Sequence, residues 1–101
     1  MPSTVSPEEQ ARNSARQKAR WEAQDCQRAA WRLGGDPTVE HSEVQLEEAI
    51  KLYEHAKKLW EMLGDYPREA RAAQLAADAC RTTLAAQRAT NAIRAATGSD
   101  Q

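Results

Sequence analysis

Leu46-Glu47-Glu48-Ala49-Ile50-Lys51-Leu52-Tyr53-Glu54-His55-Ala56-Lys57-Lys58-Leu59-Trp60-Glu61-Met62-Leu63-Gly64-Asp65-Tyr66-Pro67-Arg68-Glu69 is the stretch that decides the fold. A helix turns about 100° per residue, so residues three and four apart share a face. On that period Leu46, Ala49, Leu52, Tyr53, Ala56, Leu59, Trp60 and Leu63 share one broad side, while Glu47, Glu48, Lys51, Glu54, Lys58 and Glu61 share the other. This is an amphipathic helix with a core face, and Leu52, Tyr53, Ala56, Leu59, Trp60 and Leu63 are its expected most buried residues. Gly64 ends it, because glycine adopts the left-handed C-terminal conformation without a Cβ penalty. Tyr66-Pro67-Arg68-Glu69 starts the next helix, with Pro67 at the first helical position and Glu69 in the first turn.

Working outward, the other boundaries are marked in the same way. Ser6-Pro7-Glu8-Glu9 reads as a cap, a proline at the first position and a capping glutamate. The first helix then runs to Leu33, and Gly34-Gly35 is expected to stop it. Ser42-Glu43-Val44-Gln45 offers a second capping box, and the second helix begins somewhere in 37–43. The third runs to Thr97, with Gly98 as its stop. The expectation is therefore all-α: a single domain over 1–101, built as a three-helix antiparallel bundle with helices about 7–33, 38–63 and 67–97. Residues 1–5 and 99–101 are expected to fray. Short loops make sequential helices antiparallel neighbours. β-branched residues never alternate, so there is no strand candidate.

Composition limits the functional classes. The chain has 101 residues, a formal net charge of −1, two cysteines and no Phe. A nearly neutral chain is not a generic polyanion binder. The charge is graded, with a basic first helix (Arg12, Arg16, Lys18, Arg20, Arg28, Arg32), an acidic middle and a third helix rich in Arg. The charges of neighbouring helices are expected to complement one another at their edges. Cys26 and Cys80 are read as free thiols, since a disulfide scaffold of this size carries more cysteines. No apolar run approaches the roughly 20 residues that cross a bilayer. Met1-Pro2-Ser3-Thr4-Val5 does not read as a signal peptide, and the expected location is cytoplasmic.

No constellation for chemistry emerges, and no catalytic residue, metal or cofactor is expected. His41 and His55 are fourteen apart and sit in no helical ligand motif. The cysteines lack C-x-x-C spacing. No nucleophile elbow or Gly-rich phosphate loop is present. Arg12, Arg16 and Arg20 fall at i, i+4 spacing and could track phosphates. Glu22 and Asp25 interrupt that edge, which argues against a nucleic-acid partner.

The first helix poses the functional question. Ala15, Ala19, Ala23, Cys26, Ala30 and Leu33 form a small-residue seam. Trp21, Gln24, Arg28 and Trp31 form a second stripe roughly opposite. Both cannot face one core. Tryptophan and arginine dominate binding hot spots, so these four are the candidate partner-binding residues. The alternative is that the rings fold over the second helix as core. In the third helix, Leu75, Ala79, Thr82, Ala86, Ala89 and Ile93 form one stripe, and Ala73, Ala76, Ala77, Cys80 and Leu84 form another.

Residues 46–79 resemble a tetratricopeptide-repeat helical hairpin. Ala49, Tyr53 and Ala56 match the small–aromatic–small face of that family's second helix. Leu63-Gly64-Asp65 resembles its turn, and Ala72, Leu75, Ala76 and Ala79 stand where the next repeat begins. Upstream, Trp21 can take the family's tryptophan position. Gln24, Asp25 and Arg28 then replace its Leu, Gly and Tyr, and the connection is longer. The three-helix microtubule-interacting-and-transport domain is similar in size and in its second helix. The secreted WXG family is set aside, because Trp31-Arg32-Leu33-Gly34 carries one residue too many. The resemblance implies a protein-interaction scaffold with no catalytic residue. The expected function is a non-enzymatic helical module that binds another protein or itself. The rivals are a nucleic-acid- or transcription-associated factor and a small inhibitor or antitoxin-like protein.

Overall fold

Three helices and one tight turn account for almost all of residues 6–98, the part of the chain that the computed structural model describes. They are α1 (Pro7–Ala30), a π-helical turn (Trp31–Gly35), α2 (Glu43–Leu63) and α3 (Pro67–Gly98). There is no strand among the described residues, and the fold is an all-α antiparallel three-helix bundle. The expectations for 1–5 and 99–101 lie outside the described residues.

The helix starts follow the capping chemistry. Ser6 Oγ accepts the Glu9 amide at 3.2 Å. Ser42 forms a full capping box: its hydroxyl accepts the Gln45 amide, and its own amide donates to Gln45 Oε1 at 2.9 Å. Each such cap satisfies amides that the helix cannot. The box places the start of α2 at Glu43, so the expected start at 38 is corrected. Residues 36–42 are instead a loop tied by Asp36, whose carboxylate accepts from both the amide and the hydroxyl of Thr38. Those two bonds hold the Asp36 carboxyl below its usual range. Gly64 closes α2 with φ +80°, as its position implied. Gly98 is still helical, so the expected end at 97 is passed within the described residues.

The end of the first helix differs from expectation in kind. The α-helix stops at Ala30, not Leu33, and the backbone widens into a π turn closed by the Asp36 amide on the Trp31 carbonyl at 2.8 Å. Gly64 is the only described residue with positive φ. Gly34 and Gly35 therefore supply no left-handed cap. They supply clearance: a Cβ on Gly34 would sit 2.7 Å from Ala49 Cβ, and one on Gly35 would sit 2.5 Å from the Tyr53 hydroxyl.

α2 is the middle element. It packs along both α1 and α3, which barely meet each other. Its ends fix the antiparallel order. Arg16 of α1 donates to the Leu63 carbonyl at 3.2 Å and pairs with Asp65. Near the other end, Arg88 of α3 pairs with Glu47. Arg81–Glu54 adds a second α3–α2 bridge, and His55 meets Glu22 of α1 at 3.2 Å. On the α3 side the acidic edge of α2 is thus met by arginines, whereas on the α1 side an acid of α1, Glu22, meets His55 and Arg16 reaches only the end of α2. These exposed pairs set register more than stability, at about 0–1 kcal/mol each.

The core has two parts. Towards the α2–α3 turn, Ala23, Ala56, Leu59, Trp60, Leu63, Ala70 and Ala73 pack together. Towards the π turn, Ala30, Ala49, Tyr53, Ala77 and Cys80 do the same. Leu46 is fully buried, whereas Leu52 is only half-buried, which corrects the expected core list at that one position. The remaining five expected residues are buried. On α1 the alanine seam faces inward at Ala23 and Ala30. On α3 the Ala73–Leu84 stripe faces inward, while Leu75 and Ile93 of the other stripe are 59% and 64% exposed.

Candidate functional site

Trp21, Gln24, Arg28 and Trp31 all stand on the outer side of the molecule. Trp21 is 57% exposed and Trp31 is 50% exposed; Gln24 and Arg28 are exposed between them. The cause is the seam opposite. With Ala23 and Ala30 at zero exposure, α1 lies close on α2, and residues on its far side cannot fold back to the core. The structure thus separates the two stripes that sequence periodicity left in competition.

The four residues form one strip rather than four isolated side chains. Trp21 and Gln24 line a shallow groove that runs towards Trp60, Tyr66 and Glu69. Gln24, Arg28 and Trp31 line the next shallow groove along α1. Gln27 belongs to both grooves and was missed at the sequence level. It lies between the two stripes, half-buried, and its Oε1 accepts the Trp60 indole N–H at 3.1 Å. A buried indole needs an acceptor, and that need was the signal that could have assigned Gln27.

Trp31 is the most constrained member. It opens the π turn, and its ring lies over Gly35, where a Cβ would come within 3.0 Å of its Cδ1. π turns are rare and recur at functional positions. Among the described residues Arg28 pairs only with Asp25, at 3.6 Å and with both side chains well exposed, so its guanidinium remains open to a partner.

No family model, curated protein or solved structure matches this chain. The assignment of the site therefore rests on its own geometry.

A second concavity adjoins the first. A cleft of about 1030 Å³ lies between the 34–42 segment and α3, with Trp31 on its rim and Tyr53, Cys80, His41 and Gln87 in its walls. His41 Nε2 donates to the Asp36 carbonyl at 2.7 Å, so this histidine ties down the loop. Burial raises the Cys80 thiol, and burial followed by the neighbouring Cys80 raises the Tyr53 phenol. Both groups are therefore protonated at neutral pH, which is the wrong state for a nucleophile. The Cys26 thiol is raised as well, by burial and then by Glu22 and Asp25. Both cysteines are free thiols. Among the described residues, no three His, Cys, Asp or Glu side chains gather as a metal set.

The basic edge is largely committed within the fold. Arg16 binds the end of α2, and Arg20 donates to the Tyr66 hydroxyl at 3.0 Å. Among the described residues no helix is long and apolar enough to cross a membrane.

Proposed function

We propose that this protein is a non-enzymatic helical interaction module whose α1 strip, Trp21–Gln24–Arg28–Trp31, docks on another protein surface. One observation carries the reading. Two tryptophans, Trp21 on α1 and Trp31 at the start of the π turn, are each about half exposed to solvent. An indole left in water forgoes much of the roughly 150–250 Å² that it buries in a contact. A pair at ten residues' spacing, with Gln24 and an open Arg28 between, has the composition of a hot spot.

The tetratricopeptide-like reading of residues 46–79 fits this proposal. Ala49, Tyr53 and Ala56 are all buried in α2 between its neighbours, as a hairpin scaffold requires. A three-helix domain of the microtubule-interacting-and-transport type would use the same burial. An adaptor working in the cytoplasm accords with two free thiols. The nucleic-acid reading is weakened by the engagement of Arg16 and Arg20 inside the fold.

The test is the double variant Trp21→Ala/Trp31→Ala. Exposed positions away from the core change stability little, within about 1 kcal/mol for the pair. Core tryptophans would cost about 3–5 kcal/mol each. The expected result is an unchanged helical melt together with loss of co-purifying partner. A folded variant that retains its partners would refute the proposal, as would a large loss of stability.

A further inference from the structure

We propose that a second copy of this chain packs along the outer face of α3, antiparallel, about a two-fold axis that passes opposite Leu84. The face is the stripe Leu75, Ala79, Thr82, Ala86, Ala89 and Ile93, all exposed. Leu75 and Ile93 are among the most exposed large apolar residues of the molecule. The inward face of α3, Ala70, Ala73, Ala77, Cys80 and Leu84, is diametrically opposite on the helical period.

Three observations point to a second copy rather than a different partner. The first is the order of residues in the stripe. Its spacing is four, three, four, three, four, the alternation of a heptad seam. Reversing one helix leaves that order of spacings unchanged, so an antiparallel copy meets the same seam in register. Leu75 then faces Ile93 of the copy, Ala79 faces Ala89, and Thr82 faces Ala86. Large residues meet at both ends and small ones in the middle, as a self-complementary two-fold contact requires. Ala72 and Ala96 continue the register by one further pair. Alanine and threonine at the centre permit close helix approach, towards the short end of the 8–10 Å range.

The second observation is where α3 stops burying side chains. Leu84 is its last buried residue, and from 85 to 98 only Gln87 and Asn91 are even half-buried. Helical segments of this length are marginal alone in water. An axis opposite Leu84 sets 89–98 of one copy beside 70–79 of the other, so each projecting end lies on the bundled part of its mate. The third is charge. No charged side chain belongs to the stripe from Leu75 to Ile93, and a net charge of −1 gives two copies little mutual repulsion.

This face is separate from the α1 strip, and the test keeps the two apart. Sedimentation equilibrium of the full chain from about 1 μM to about 1 mM brackets the affinity of a small apolar contact. The expected mass rises from monomer to dimer across that range. Leu75→Glu and Ile93→Lys each lie on an exposed position, and a helical circular-dichroism spectrum confirms that each folds. Each alone places two charges in the seam and weakens association at least tenfold. Leu75→Glu/Ile93→Lys together sets Glu against Lys of the copy twice, and association returns. Trp21→Ala/Trp31→Ala leaves the dimer unchanged. A wild-type chain that stays monomeric overturns the proposal. Single variants that dimerise normally also overturn it, as does a double variant that shows no rescue. Loss of the dimer in the tryptophan variant instead would assign self-association to α1.

Discussion

Glycine at positions 34 and 64 shows how one residue type answers two different physical demands. At Gly64 the demand is conformational: φ is +80° and a Cβ would meet nothing within 4 Å. At Gly34 it is spatial, since a Cβ would stand 2.7 Å from that of Ala49 and 3.2 Å from Leu46 Cδ2. The sequence reading placed both as helix stops. Gly64 was legible because Asp65-Tyr66-Pro67 follows it and Pro67 restarts the chain. The role of Gly34 was not, since close approach depends on which residue of another helix lies opposite. Gly34→Ala therefore tests packing. In an open helix the change would gain about 1 kcal/mol. Here overpacking should dominate, for a net destabilisation of about 1–3 kcal/mol in urea unfolding. The compensating pair Gly34→Ala/Ala49→Gly, which moves the missing methyl across the contact, should recover part of that loss. Unchanged stability in Gly34→Ala would show that the helices have room to part.

Among elements, α2 was read most completely because it is covered from two sides and its apolar face is wide. Its one misplaced residue follows from that geometry. Leu52 packs at the edge of the core and borders a shallow surface groove lined by α1 residues. Leu46, in the first turn, is enclosed with Gly34 packed against it. Periodicity assigns both to the same face and cannot rank them. Leu46→Ala should cost about 2–5 kcal/mol, as buried leucines do. Leu52→Ala should cost less than half as much, since part of its side chain is already in water. Thermal or urea melts of the two variants settle the order, and a larger loss at Leu52 would mean that the core is centred elsewhere. On α1 the periodicity showed two stripes without choosing between them. What chose was the small size of Ala23 and Ala30, which brings α1 close to α2 and leaves Trp21 and Trp31 outside. The candidate strip was thus visible in sequence as a pattern, but its exposure was a property of the packing.

At the scale of the whole molecule, the decisive feature is that α2 holds two helices that barely touch each other. Both core clusters draw side chains from all three helices, and they are joined through α2. Here α1 depends on its contact with α2, on the π turn and on a few polar links. Much of α1 and α3 also lies beyond that contact: 7–18 are exposed throughout before Ala19, and α3 buries nothing after Leu84. Stability in such an arrangement is graded along the chain. Native-state hydrogen exchange at low protein concentration, where self-association is absent, should therefore show a fixed order. Amides in the middle of α2, around Tyr53 to Trp60, should exchange only by global opening. Those of α3 from Ala73 to Leu84 should follow. Amides of α1 between Ala19 and Ala30 should open at lower free energy, because Ala23 and Ala30 are the only side chains that α1 buries among its described residues. The ends, 10–15 and 89–98, should exchange close to the rate of an isolated helix. Raising the concentration into the range of the proposed dimer should slow exchange at 89–98 and leave 10–15 unchanged, since only the former end lies against the mate. Uniform protection across all three helices would contradict the central role of α2, and equal slowing of both ends would contradict the register about Leu84.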